Sequence, residues 1–186
     1  MGAAKQLLQL EGKPLIARSV DAVLGSRARP VVVVLGADSE KIQAALGDRP
    51  VVAVFNPDWP SGLASSIRAG LAALLAADPG LDAALLAPCD QPGLSSEAIA
   101  RLAAFQRDTG RIAAARYSGR NGAPAVFGRG HFAALQALSG DEGARKLING
   151  DPEIVAALDL PEFAFDLDTP ADCQAWLRLS PPNTPP

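Results

Sequence analysis

The stretch Ala83-Ala84-Leu85-Leu86-Ala87-Pro88-Cys89-Asp90-Gln91-Pro92 decides how this chain is read. An uncharged apolar run breaks into a turn bracketed by two prolines, and Asp90 stands at its exit. Ala and Leu would suit a helix on propensity, but the shortness of the run and its bounds at Gly80 and Pro88 favour a buried strand. In open α/β sheets, ligands bind in the crevice outside the carboxyl ends of the strands. A carboxylate at that place is well positioned to hold a metal ion against a phosphate. A second acidic pair, Asp166 and Asp168, follows another apolar run and precedes Thr169-Pro170. Two such strand ends converging would make a divalent-metal site.

Working outward, Val31 to Leu35 and Val51 to Phe55 are Val-rich runs of the kind that two-sided burial in a parallel sheet favours. Helices are expected between the strands. Leu15 to Leu24 is one, and Ser39 to Leu46 is another with Asp38 or Ser39 as cap. Leu63 to Ala77 places Leu63, Ile67, Leu71, Leu74 and Leu75 on one face. Ser96 to Arg107 turns Ile99, Leu102 and Ala103 inward. This alternation predicts an α/β fold: a Rossmann-like, doubly wound, mostly parallel sheet with helices on both faces.

The second half is less regular. Ile112 to Arg116 and Pro124 to Phe127 read as strands around a Gly-rich loop, Ser118 to Gly122. Gly130 to Leu138 and Asp141 to Asn149 read as helices, and Ile154 to Leu158 and Phe163 to Leu167 as late strands. Thr169-Pro170-Ala171-Asp172 combines an N-cap, a proline at the first helical position and an acidic residue at N3. The helix it opens inserts Cys173, Trp176 and Leu177. The expected organisation is a single domain over residues 1–179 and a disordered tail over residues 180–186.

At 186 residues the chain is long enough to bury a sizeable core. Its net charge of −3 offers no broad basic surface for nucleic acid or an anionic membrane, so any phosphate binding must be local. The apolar stretch Ala69 to Ala87 is interrupted by Asp78-Pro79-Gly80 and Asp82, and neither half spans a bilayer. Cys89 and Cys173 lack metal-type spacing, and nothing in the sequence demands a disulfide between them. A reduced, cytoplasmic setting is the expectation.

Few residues outside the acidic turns carry chemistry. Gly2 with Lys5 three residues later can offer backbone N–H groups and one cation to a phosphate. A solvated lysine near a chain end is the plainer reading of Lys5. Ser65 and Ser66, after Gly62, bring two hydroxyls to a helix N-terminus, which suits an anion and equally suits ordinary capping. His131 reads as a surface residue and Trp176 as core packing.

Together these pieces resemble one family in order and spacing. They are Gly2-Ala3-Ala4-Lys5, Gly12-Lys13-Pro14-Leu15, Asn56-Pro57-Asp58-Trp59, Gly62-Leu63-Ala64-Ser65-Ser66, Cys89-Asp90-Gln91-Pro92, Asn121-Gly122-Ala123-Pro124, Gly140-Asp141-Glu142-Gly143-Ala144-Arg145 and Asp166-Leu167-Asp168-Thr169-Pro170. The set is similar to the molybdenum cofactor cytidylyltransferases, within the MobA-like nucleotidyltransferases, up to Leu177. The resemblance implies a fold like that of the nucleotide-diphospho-sugar transferases. It implies transfer of CMP from CTP to a molybdopterin-type substrate, with Mg²⁺ as cofactor and a molybdoenzyme as the eventual acceptor. Gly2 and Lys5 would serve the triphosphate, Ser65 and Ser66 the nucleotide. Asp90 and Asp168 would hold Mg²⁺, with Asp166 in support. Asn121, Pro124, Asp141 and Arg145 would face the pterin. Cys89 and Leu63 stand where the family often has Gly and Met, small departures that leave the acid in place.

The larger departure is at the front. Family members begin with a strand and a Leu-Ala-Ala-Gly loop before Met-Gly, and that strand lies centrally in the sheet. Here Met1-Gly2 matches the last two residues of the loop. The expectation is that Met1 is internal to the natural reading frame, because an omitted central strand leaves two buried edges unpaired. Each unmade buried hydrogen bond costs about 1–3 kcal/mol, against total domain stabilities of about 5–15 kcal/mol. Other readings stay open at this point. They are a guanylyl donor, a different small phosphorylated metabolite, and a non-catalytic molybdenum-cofactor binder or insertion factor.

Overall fold

The computed structural model describes residues 4–141 and 143–179. Gly2 and the segment 180–186 therefore lie outside the described residues. A 3₁₀ turn, Lys5–Leu7, leads into a short antiparallel hairpin, β1 (Gln9–Leu10) and β2 (Lys13–Pro14). Glu11 and Gly12, at φ 52° and 75°, make its turn, the geometry that matches strand twist in two-residue hairpins. The sequence reading had no strand here.

The alternating half follows with expected bounds within two residues: α1 (Leu15–Gly25), β3 (Val32–Leu35), α2 (Ser39–Leu46), β4 (Val52–Phe55), α3 (Leu63–Ala77), β5 (Ala83–Leu86) and α4 (Ser96–Thr109). Asp38 precedes α2 at φ 53° without capping it through its side chain, whereas the Ser95 hydroxyl accepts from the Ala98 amide and caps α4. Then come β6 (Ile112–Tyr117), β7 (Arg120–Gly128), α5 (Phe132–Gln136), α6 (Arg145–Ile148), β8 (Val155–Asp159) and α7 (Pro170–Leu179).

The main sheet has the order β5-β7-β6-β8. β6 and β8 are parallel, while β7 is antiparallel to both β5 and β6 because it returns from β6 through a two-residue turn. Ser118 and Gly119, at φ 48° and 74°, form that turn, so the strand begins at Arg120, four residues earlier than the Gly-rich run predicts. The α/β class stands, with a mixed sheet. Alternate residues serve its two faces. Ala114, Ala125 and Phe127 pack with Ile67, Leu71, Leu135 and Ile148 on one side. Ala113, Ala115 and Val126 pack with Ile99, Leu102, Leu160 and Phe163 on the other. Alanines on β6 leave room for helices to approach both faces closely.

β3 and β4 pair in parallel as a separate two-stranded sheet, Val32 opposite Val52 through Leu35 opposite Phe55. Ile16, Val20, Ile42 and Leu46 cover it. Between its β3 edge and the β5 edge of the main sheet no strand is hydrogen-bonded among the described residues. A cleft of about 2310 Å³ runs there, bordered by Val31 to Val34, Ala83 to Ala87, Val20, Ile67 and Leu71. Among the described residues both edges, flanked by helices, are unpaired on their facing sides.

Three later expectations are corrected. Asp141 to Asn149 is helical only over Arg145–Ile148, because Gly140 and Gly143 sit at φ 64° and 55°. Gly130 to Leu138 reduces to α5 after a 3₁₀ turn at Arg129–His131. Phe163 to Leu167 is no strand: a 3₁₀ turn at Pro161–Phe163 buries Phe163, and the chain then carries Leu167 into a separate cluster with Leu10, Leu15 and Cys173. Thr169 and Asp172 do form the reciprocal cap. Thr169 N–H donates to Asp172 Oδ2 at 2.8 Å, and Asp172 N–H donates to Thr169 Oγ1 at 3.2 Å. Trp176 packs on Phe165 with ring centroids 5.7 Å apart. Both cysteines are free thiols. No helix among the described residues is long and apolar enough to cross a membrane.

Candidate active site

Asp90 leaves the carboxyl end of β5 through Pro88 and Cys89, with its side chain 15 % exposed. Leu167 N–H donates to the Asp90 carbonyl at 2.7 Å, which fastens the 166–168 segment against the strand end. The approach is close because Gly93 lies against the Glu162 backbone, where a Cβ would stand 2.1 Å from the carbonyl oxygen. Leu167 is fully buried between the two exposed acids Asp166 and Asp168. Lys5, on the first 3₁₀ turn, completes the group. Its ammonium donates to Asp90 Oδ2 and, at 3.1 Å, to Asp168 Oδ1.

The two carboxylates predicted to converge therefore share one cation. Burial works against the Lys5 charge, but hydrogen bonds and charge from Asp90 and Asp168 outweigh it and raise the ammonium above its ordinary range. Cys89 is different. Burial first, then the neighbouring Asp90, push its thiol up to about 11, with Lys5 acting in the opposite sense. Protonated at neutral pH, it is no nucleophile.

Asp166 borders the same cleft, but no hydrogen bond or ion pair of the described residues joins it to Asp90 or Asp168. Among the described residues no three acidic, His or Cys side chains are grouped to hold one ion. The hard oxygen donors that a divalent ion such as Mg²⁺ needs are thus two, Asp90 and Asp168, already converged on a cation, and water commonly completes such a set. The donor chemistry fits.

Elsewhere along the cleft, α3 is preceded by Gly62, whose φ of 112° and close contact with Gly140 leave no space for a side chain. Ala64 N–H donates to Gly140 O at 3.1 Å and ties this helix end to the 140–145 segment. Ser65 does not border the cleft. It is buried, donates to the carbonyls of Asp58 at 2.9 Å and Gly62 at 2.8 Å, and accepts from Asn56 Nδ2 at 2.8 Å. Neither serine caps α3 through its side chain; Ser65 ties the helix start to the 56–62 segment, while Ser66 borders the cleft.

Asn121, Asp141 and Arg145 also border it. Asn121 Nδ2 donates to Ile148 O at 3.3 Å and braces β7 against α6. Pro124 does not border it and is fully buried. His131 lies on the turn before α5 and does not border the cleft.

Sequence reasoning missed several cleft residues. Buried Gln91 donates to Tyr117 Oη at 3.2 Å and Ala123 O at 3.1 Å, anchoring the Asp90 turn to β7, and its Oε1 has no hydrogen-bond partner among the described residues. Arg120, Lys146 and Asn149 border the cleft beside Arg145. Arg120 inside the Gly-rich run and the Arg145-Lys146 pair were the available signal. For Gln91 only the tertiary contact reveals the role.

Residues 1–157 match the model of the MobA-like NTP transferase domain. The chain belongs to that family. It is thus a nucleotidyltransferase, as the motif set implied. Nicotine blue oxidoreductase from Paenarthrobacter nicotinovorans is 35% identical over 176 residues, spanning 89% of this chain and 83% of that protein. The crystal structure of Rv0371c from Mycobacterium tuberculosis H37Rv superposes with a TM-score of 0.80 at 25% identity, covering 96% of this chain and 90% of that one. The manganese complex of the same protein gives a TM-score of 0.76 at 26% identity, covering 95% and 92%.

Proposed function

We propose that this chain transfers CMP from CTP to the phosphate of a molybdopterin-type cofactor, with Mg²⁺ as the metal. The observation that carries this reading is the Lys5 ammonium bonded to both Asp90 and Asp168 at the carboxyl end of β5. It gathers a metal-type acid pair and a phosphate-type cation at one point beside the cleft.

The acceptor phosphate oxygen attacks the α-phosphorus. A new P–O bond forms, the bond from that phosphorus to the β-phosphate oxygen breaks, and pyrophosphate leaves. A phosphate monoester has its second pKa near ~6, so it is largely dianionic at pH 7 and needs no strong base. That agrees with a cleft whose thiol is protonated and whose histidine lies elsewhere. Asp90 and Asp168 would hold the metal, which when bound neutralises phosphate charge and orients the triphosphate. Lys5 neutralises the triphosphate, and the Ser66 hydroxyl at the start of α3 meets an anionic group. Arg145, with Arg120 and Lys146 beside it, attracts the acceptor's phosphate, and Asp141 and Asn121 offer hydrogen bonds to its ring system. In this reading the product is destined for a molybdoenzyme.

The test is Mg²⁺-dependent pyrophosphate release, with CTP and GTP compared in the presence of molybdenum cofactor. Release with CTP alone supports the reading, and release with GTP alone replaces the cytidylyl donor by a guanylyl one. Cofactor binding without release from either points to a carrier or insertion factor. A second reading follows from the relative that is 35% identical, electron transfer to a nicotine-blue-like pigment. Bleaching of that pigment by this chain with a reduced nicotinamide cofactor supplied as the two-electron donor, and with no pyrophosphate release, would favour it.

A further inference from the structure

We propose that Lys5 is an exchange cation, a rival of the divalent ion for Asp90 and Asp168, which keeps the metal from binding tightly until a nucleoside triphosphate draws the ammonium away. This rests on Asp90 and Asp168 being the metal ligands.

The geometry is specific. One ammonium satisfies both carboxylates at once, although they come from distant parts of the chain and meet only here. Asp90 is mostly buried, so removing its partner leaves an acid that demands another cation. Asp168 is 65 % exposed and Lys5 40 % exposed, so this half of the group is open to exchange. Lys5 also stands on a three-residue 3₁₀ turn whose side chains are all partly exposed, a light anchor for a side chain that must swing. Ala4, Lys5 and Gln6 border the cleft, which places an alternative anionic partner within the same space.

The charges set the direction. Two carboxylates and one ammonium sum to −1, and a divalent ion binding beside an undisplaced ammonium meets like charge at close range. A triphosphate supplies several negative charges for Lys5 and so frees both carboxylates. Metal and nucleotide then bind with positive coupling, and coupling of this kind is commonly 5–150-fold. Lys5 acts on the metal through Asp90 and Asp168, so for metal loading it is a positioning residue.

The experiment measures Mn²⁺ affinity by electron paramagnetic resonance, with Mn²⁺ alone and with Mn²⁺ plus a non-hydrolysable CTP analogue. It compares the wild-type chain with Lys5→Met, Lys5→Arg, Asp90→Asn and Lys13→Met, each checked for unchanged circular dichroism. The result expected for Lys5→Met is a split in sign: Mn²⁺ alone binds about 10-fold tighter, and the Mn²⁺-nucleotide complex binds more weakly. Lys5→Arg, which keeps the charge, retains the positive coupling between Mn²⁺ and nucleotide that Lys5→Met loses. Lys13→Met, which removes a cation already paired with Asp21, also behaves as wild type. A merely structural Lys5 would weaken both measurements together, and that outcome overturns the proposal, as does unchanged Mn²⁺ affinity in Lys5→Met. If instead Asp90→Asn binds Mn²⁺ as well as wild type, the metal-ligand reading itself falls, whatever Lys5 does.

Discussion

Gly93→Ala isolates the backbone approach on which the site depends. Gly93 lies three residues after Asp90, in a turn closed by Leu94 N–H donating to Gln91 O at 3.1 Å. Its φ is not in the left-handed region, so alanine meets no conformational penalty of its own. The added Cβ would stand 2.1 Å from Glu162 O and 2.8 Å from Glu162 C, both backbone atoms. No side chain can swing aside, so the Asp90 turn and the 162–168 segment must separate by about 1 Å, a displacement able to cost about 10²-fold in an active site. Overpacking of this kind costs about 1–3 kcal/mol. Loss of the Leu167-to-Asp90 backbone bond, now 2.7 Å, adds about 1 kcal/mol. The variant should therefore lose roughly 2–4 kcal/mol in urea unfolding followed by circular dichroism. Its Mn²⁺ affinity should fall too, because Asp168 moves away from Asp90. Gly130→Ala, which meets open space, is the control and should change little. A Gly93→Ala chain within about 0.5 kcal/mol of wild type would refute the close-approach argument.

Three further outcomes follow from other parts of the fold. Cys89, its thiol pushed up to about 11, should alkylate slowly at pH 8 in the folded chain and faster as pH climbs towards that value. Native labelling as fast as in urea would contradict it. Thr169→Ala should cost about 1 kcal/mol in urea unfolding through loss of the reciprocal cap. The Thr169 hydroxyl, and after it the amide, hold the Asp172 carboxyl below its ordinary range, so the hydroxyl's contribution is present at neutral pH and fades as pH falls from the ordinary carboxylate range through the lower folded value; a pH-independent difference between the two chains would be wrong for this account. In hydrogen exchange, edge amides of β3 and β5 facing the cleft should exchange well before those of β6, which pairs on both sides. Equal protection would mean that those edges are covered.

The alternating first half was legible because Val-rich and Ala/Leu-rich runs bounded by Gly and Pro are one-dimensional signals. The convergence of Asp90 with Asp168 could be anticipated from two acidic turns after apolar runs, although only the first run is a strand, but not the backbone bond from Leu167 that enforces it. Phe163, Phe165 and Leu167 repeat at every second residue and mimic a strand. Tertiary contacts override that pattern, burying Phe163 and Leu167 while Phe165 stacks on Trp176. Ser65 reads as a ligand contact only while the amide of Asn56 is out of sight, since that bond joins residues nine apart. Pro124 belongs to the recognisable motif, yet the motif cannot say that its ring points into the core. The helix expected over Asp141 to Asn149 was overdrawn because it includes Gly143, which adopts a positive φ.

The central claim is that Asp90 and Asp168 hold the metal on which nucleotidyl transfer depends. Pyrophosphate release by Asp90→Ala, measured beside wild type with Mg²⁺, CTP and molybdenum cofactor, tests it most directly. The account predicts a loss of at least about 10²-fold with circular dichroism unchanged. Release near the wild-type rate from the folded variant would contradict it.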